Sequence, residues 1–203
     1  MMAGVYAANC FFVINNRREA IIIDPGGDFK DIVKNIDEKE IIPKYILLTH
    51  GHGDHIAAVN ELKEKYEIPV LVHEDEVELL SDPEMNMSAR MPINPVSVNA
   101  DITFLDGESI CDEFNIKVIH TPGHTAGSCC FLIGDKLITG DTVFRGSIGR
   151  SDLPTGNYDD IMQSIKNKIL LMDDSIEIFP GHGTASTIET EKQINPYFAE
   201  LMV

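Results

Sequence analysis

At 203 residues the chain is long enough for a domain that buries roughly 70% of its extended surface, with no disulfide or metal needed merely to fold. Thirty-three acidic side chains against 16 basic ones give a formal charge of -17, which opposes nucleic acid and anionic membranes as partners, since both require a basic surface. The first basic residue is Arg17 and no apolar run reaches the ~20 residues of a membrane span, so neither a secretion signal nor a membrane helix is expected and a cytoplasmic protein is predicted. Cys10, Cys111, Cys129 and Cys130 lack the density of a disulfide scaffold and any Cys-x-x-Cys spacing. They are expected to be reduced thiols in or near the core.

Two β-rich runs, 5–14 and 20–23, flank Asn15-Asn16-Arg17-Arg18-Glu19 and predict a hairpin. Asp24-Pro25-Gly26-Gly27 ends the second run. Asp24 has two readings, an ordinary turn former or a carboxylate that orients a neighbouring site. The glycine pair lacks both a P-loop lysine and a Gly-x-Gly-x-x-Gly frame, which excludes a phosphate cradle. Phe29, Ile32, Val33 and Ile36, at helical spacing, predict a packing helix over 29–36.

The apolar run 46–48 predicts a buried strand and 56–66 a helix. Between them stands Thr49-His50-Gly51-His52-Gly53-Asp54-His55, which holds three of the chain's 7 histidines. His-x-His on an extended segment puts two imidazoles on one side, able to close on one ion, whereas Asp54 and His55 begin the next helix. The cluster can therefore seed two adjacent sites, with His50 and His52 on one and Asp54 and His55 on the other.

Residues 68–72 predict another strand, followed by His73, read as structural or surface, and by the acidic Glu74-Asp75-Glu76. Segment 81–99 is broken by Pro83, Pro92 and Pro95 and carries Met85, Met87 and Met91. Its poor periodicity suits either a lid with an adaptable apolar wall or plain loop packing. Strands are predicted at 102–105 and 114–119, the latter running into His120-Thr121-Pro122-Gly123-His124-Thr125. His124, after the Pro-Gly turn, is placed like a ligand; His120 has the weaker claim.

Gly134-Asp135 between the runs 128–133 and 136–139 signals a hairpin whose second strand ends in Gly140-Asp141-Thr142. A carboxylate there has two oxygens and can bridge two cations. Residues 144–152 form a glycine-punctuated loop with Arg145 and Arg150, read as surface or as substrate contacts. A helix follows over 158–172, with the stripe Ile161, Ile165 and Ile169, then a strand at 176–179 ending in Pro180-Gly181-His182-Gly183. The final helix is interrupted at Asn195-Pro196. Four strand ends thus deliver His50, His52, Asp54, His55, His124, Asp141 and His182, and ligands of α/β sheets gather at the carboxyl ends of strands.

In their order these motifs, together with Ile23-Asp24-Pro25-Gly26 and Gly149-Arg150 with Asp152, resemble the metallo-β-lactamase-fold hydrolases, and among them the small glyoxalase II-like (hydroxyacylglutathione hydrolase-like) proteins. The resemblance spans nearly the whole chain. It implies an α/β fold, α+β in some schemes, built as a four-layer αβ/βα sandwich, with 1–203 as one catalytic domain. It assigns His50, His52 and His124 to a first metal, Asp54, His55 and His182 to a second, and Asp141 to the bridge. Two divalent ions per chain are implied, zinc by default, with iron and manganese also suited to the mixed shell.

Such a site lowers the pKa of a shared water and polarises an acyl carbonyl, so that a bridging hydroxide, oriented by Asp54, attacks a small-molecule thioester. A thiolate leaving group has a parent pKa of roughly 8.5 and needs no strong general acid. Glyoxalase II enzymes continue into a helical carboxyl-terminal region that contacts glutathione, and a protein lacking that region is expected here. Arg145, Arg150 and the 85–91 segment are then the expected substrate contacts. Other readings are a mononuclear iron persulfide dioxygenase of the same fold, using His50, His124 and Asp141, a lactone or phosphodiester hydrolase, and a non-catalytic metal-binding or sensing protein. Against the last stands the lack of a closed, thiolate-rich site.

Overall fold

The computed structural model describes residues 1–202. The chain forms two compact units, the first Met1–Phe104 and the second beginning at Leu105. The first holds β1 (Met2–Ala3), β2 (Ala8–Asn9), β3 (Phe11–Ile14), β4 (Glu19–Ile23), α1 (Phe29–Glu38), β5 (Ile42–Leu47), α2 (Gly53–Ile56), α3 (Val59–Tyr66), β6 (Val70–His73), α4 (Val77–Ser81) and β7 (Ile102–Phe104). Its main sheet has the order β3-β4-β5-β6-β7, with β3 and β4 antiparallel and the remaining pairs parallel.

Ile21, Ile22 and Ile23 are all fully buried, as the unbroken apolar run of an inner parallel strand requires. Ile22, Ile46, Val70 and Val72 share one core with Ile32 and Ile36 of α1 and Val59 and Leu62 of α3. Each such side chain contributes about 1.5–3 kcal/mol by leaving water. Two sequence expectations change here. The run 5–14 is not one strand, because Ala7 takes a left-handed conformation (φ 53°) and its N–H closes a turn on the Gly4 carbonyl at 3.1 Å. The helix expected over 56–66 starts at Gly53 and breaks after Ile56, where the Ala58 N–H donates to the Pro25 carbonyl (3.0 Å) instead of a helical one.

The second unit holds β8 (Ser109–Ile110), β9 (Ile116–His120), β10 (Cys129–Ile133), β11 (Lys136–Gly140), β12 (Val143–Phe144), β13 (Ser147–Ile148), α5 (Tyr158–Ser164), β14 (Glu177–Pro180), β15 (Ser186–Thr187), α6 (Ile188–Ile194) and α7 (Pro196–Leu201). Its main sheet runs β15-β14-β11-β10-β9-β8, and only β11 with β14 is parallel. The hairpin at Gly134-Asp135 forms as expected, with Ile133 opposite Lys136. Asn157 caps α5 by accepting the Asp160 N–H. The helix expected over 158–172 passes into a π turn, Ile165–Ile169, in which the Leu170 N–H reaches the Ile165 carbonyl at 2.9 Å. Ile161, Ile165, Ile169, Ile178, Ile188 and Phe198 form this unit's core.

Cys10, Cys129 and Cys130 are buried, Cys111 is half-buried, and all four are free thiols. Burial pushes the Cys10 thiol up to about 12 and the Cys130 thiol to about 11. Among the described residues no helix is long and apolar enough to cross a membrane.

Candidate functional site

In the first unit the carboxyl ends of β4, β5 and β6 supply the polar groups. Asp24 directly follows β4, is fully buried, and takes a left-handed conformation (φ 51°). Its Oδ1 accepts the Thr49 N–H at 2.8 Å, and its Oδ2 accepts the Thr49 hydroxyl at 2.5 Å and faces His55 Nδ1 at 3.1 Å. An ionised carboxylate only accepts, so the His55 proton belongs on Nδ1 and the lone pair on Nε2. The Thr49 hydroxyl, having donated to Asp24, accepts from His50 Nδ1 at 3.1 Å and fixes the same tautomer there. Of the two readings of Asp24, the orienting carboxylate is the one the structure bears out.

The His50 ring lies 4.9 Å from that of His52 and 4.2 Å from that of His55, centroid to centroid. Asp24, His50 and His55 each offer a ligand-type atom within 4.8 Å of the others. Asp54, half-buried, precedes His55 in α2. The residue between the first two histidines must be small. A Cβ on Gly51 would stand 2.9 Å from Leu79 Cδ2, while the Gly51 N–H donates to the buried Glu76 carboxylate at 2.7 Å. The Gly53 N–H donates to the Asn86 carbonyl at 2.8 Å, and the Asn86 amide donates to the Val96 carbonyl, also at 2.8 Å. Segment 81–99 therefore packs against the histidine turn. His73 is buried and accepts the Asp75 N–H at 3.3 Å, a structural role.

In the second unit the parallel pairing of β11 and β14 sets their carboxyl ends side by side, with the Gly181 N–H donating to the Gly140 carbonyl at 2.7 Å. Asp141 and His182 leave those ends, and His124 leaves the turn after β9, which runs in the same direction. His124 Nε2 lies 3.5 Å from Asp141 Oδ2 and His182 Nε2 lies 3.8 Å from that same oxygen. Both separations exceed a good N–H···O bond. His124 Nδ1 donates to the Arg150 carbonyl at 2.7 Å, which leaves the ring's lone pair on Nε2. A Cβ on Gly149 would fall 1.7 Å from the Asp141 carbonyl oxygen and 3.2 Å from His124 Nδ1, so only glycine fits between them. The Thr121 and Thr142 hydroxyls, 2.9 Å apart, join the two turns.

His120 Nε2 bonds the Ala126 carbonyl at 2.7 Å and closes its own turn. Arg145 reaches the Ala185 carbonyl at 3.5 Å. The Arg150 side chain is exposed and grips Asp152 with two bonds of 2.6 and 2.8 Å, which holds the Asp152 carboxyl down at about 2. Sequence reading found the ligand-type residues but missed Glu76, Asn86, Thr49 and the Arg150 carbonyl as their supports. Of these only Thr49 gave a signal, a polar residue just beyond an otherwise apolar strand.

Imidazoles and carboxylates are held at strand ends in each unit, with His50 and His55 in the first and His124 in the second fixed in one tautomer by a polar partner, a donor chemistry suited to metal ions. The chain belongs to the metallo-beta-lactamase superfamily, which it matches over residues 3–182, and it has the metallo-β-lactamase fold. It is 37% identical over 201 residues to the probable metallo-hydrolase YqgX of Bacillus subtilis, covering 97% of this chain and 95% of that one. It is 35% identical over 203 residues to the hydroxyacylglutathione hydrolase GloC of Haemophilus influenzae, covering 95% and 93%. Among solved structures it is similar to the B3 metallo-beta-lactamase BLEG-1, with 36% identity, 97% of each chain covered and a TM-score of 0.92. It is also similar to TTHA1623 in a di-iron-bound form, with 29% identity, 97% and 98% covered and a TM-score of 0.88.

Proposed function

We propose that this chain hydrolyses small-molecule thioesters of the S-acylglutathione type, as a single catalytic domain over 1–203. In this reading His50, His52 and His124 hold one divalent ion, Asp54, His55 and His182 a second, and Asp141 serves both. The observation that carries it is the pair of histidine Nε2 atoms facing one Asp141 oxygen at 3.5 and 3.8 Å, a nitrogen and carboxylate donor set that fits a divalent cation. The hydrogen bonds from Thr49 and His55 to Asp24, and from His50 to the Thr49 hydroxyl, support the first unit's donors by fixing their tautomers. Likeness to GloC supports the thioester, and likeness to the di-iron form of TTHA1623 supports two ions.

When bound, such ions make water nucleophilic near neutral pH and act as Lewis acids toward a carbonyl. The chain's own residues supply the rest. Asp24 and the Arg150 carbonyl keep the protons of His55 and His124 on Nδ1. Asp54 would orient the attacking water by accepting a hydrogen bond from it. The leaving thiolate is a weak base and departs without a side-chain acid. Arg150, exposed beside Asp152 just after β13, meets the anionic part of the thiol carrier, and Arg145 stands in the turn that joins β12 to β13. The four free thiols fit work in the reducing cytoplasm.

Release of free thiol from S-lactoylglutathione by the purified chain tests this reading, with a chromogenic β-lactam as the parallel substrate because of the likeness to BLEG-1. Thiol release at a kcat above about 1 s⁻¹ with a poor β-lactam rate is expected. The reverse ranking would replace the thioesterase with a β-lactamase, and no turnover of either would end both.

A further inference from the structure

Within the second unit, one helix reads the turn that carries His124 along its whole length. At its start the Asn157 N–H donates to the Gly123 carbonyl at 2.8 Å. One turn on, Ile161 lies so close that a Cβ on Gly123, itself at φ 135°, would stand 2.1 Å from the Ile161 nitrogen. The Ser164 hydroxyl donates to the Pro122 carbonyl at 2.8 Å. In the π turn, Lys168 Nζ donates to the His120 carbonyl at 2.6 Å and to Asp106 Oδ2 at 2.7 Å. Asp106 Oδ1 completes the ring by accepting the His120 N–H at 2.9 Å.

Steps of four, three and four residues from 157 to 168 put these positions on one helix face. Three of them bond backbone carbonyls of the segment 120–124. Lys168 differs from the others in kind. Packing alone would be served by its aliphatic stem, yet the ammonium of this side chain, 32% exposed as a whole, is spent on a backbone carbonyl and a carboxylate. The π turn sets it there, and such turns are often kept at functional positions.

We propose that Lys168 is a positioning residue for His124. Clasping the His120 carbonyl and Asp106 pins the end of β9, so the four residues that follow present the His124 imidazole to Asp141 in one geometry. Lys168 touches neither His124 nor a reacting atom and acts through the backbone of His120. This inference rests on the reading of His124 as a metal ligand.

The test is zinc affinity by chelator competition on the full chain, beside the melting temperature of the metal-free protein. Lys168→Met keeps the stem and removes the donors. It is expected to weaken zinc binding about 10-fold, the low end for supports outside the ligand shell. Lys168→Arg, which can still donate to both partners, is expected to restore most of that loss, which a generic packing defect would not do. Asp106→Asn, milder for folding, should weaken binding in the same direction. Wild-type affinity in both Lys168→Met and Asp106→Asn, or an equal loss in Lys168→Arg, would overturn the proposal while leaving the metal reading in place. A wild-type chain that binds no zinc, iron or manganese would instead remove the reading on which it rests.

Discussion

Replacing Asp24 by Asn isolates the hydrogen bonding of the first unit's histidines from its backbone. Asn tolerates the left-handed conformation found at this position (φ 51°), so the turn itself is spared. Its carbonyl oxygen can still accept the Thr49 N–H, but its NH₂ replaces the oxygen that meets the Thr49 hydroxyl and His55 Nδ1. Two donors then face a donor. The hydroxyl can rotate away at the loss of a charge-assisted bond, about 1.5–3 kcal/mol. His55 can relieve its clash only by moving its proton from Nδ1 to Nε2, which blocks the coordinating nitrogen. Asp24→Asn should therefore lose about 2–4 kcal/mol of metal-free stability in urea unfolding. Zinc affinity by chelator competition should fall about 10- to 100-fold. Wild-type zinc affinity in a folded Asp24→Asn protein would refute the tautomer reasoning.

Gly149→Ala should lower metal occupancy and cost about 1–3 kcal/mol, because a methyl cannot fit 1.7 Å from the Asp141 carbonyl oxygen; elemental analysis and urea unfolding check it. At pH 8 none of the four thiols should react quickly with a disulfide reagent in the native protein, since burial first of all pushes Cys10, Cys111 and Cys130 up to about 12, 12 and 11; a fast-reacting thiol would contradict this, and urea should release all four. Burial alone would raise the Asp106 carboxyl, but the hydrogen bonds from Lys168 and the His120 N–H outweigh it and hold the group below its usual value. A depressed carboxylate stabilises the fold above its unfolded pKa, and that contribution is lost as pH falls through the folded value. The melting temperature should therefore drop on acidification below about pH 4, and less steeply in Asp106→Asn.

The ligand-type residues were legible because each sits in a local motif. Proline, glycine and aspartate punctuate apolar strands, and the chemistry lies at the punctuation, as in Gly140-Asp141-Thr142 and Pro180-Gly181-His182. Their supports were not legible, because they come from far along the chain. Asp24 meets Thr49 and His55 across 25 and 31 residues, and Glu76 meets Gly51 across 25. The same distance effect hid the helix break at Ala58, where the competing acceptor is the Pro25 carbonyl. The π turn was hidden for a different reason. Ile161, Ile165 and Ile169 keep an apolar stripe whether the helix is regular or widened by one residue, so periodicity does not mark where the widening falls. Arg150 was read from its charge, whereas its backbone carbonyl is what holds His124.

The central claim, two ions served by one carboxylate, is tested most directly by metal content per chain in the wild type and Asp141→Ala, purified without added metal. About two metals per wild-type chain and near-complete loss of both in Asp141→Ala are expected, since removing the shared carboxylate leaves the two cations to repel each other. One metal per chain in the wild type, or full occupancy without Asp141, would contradict it.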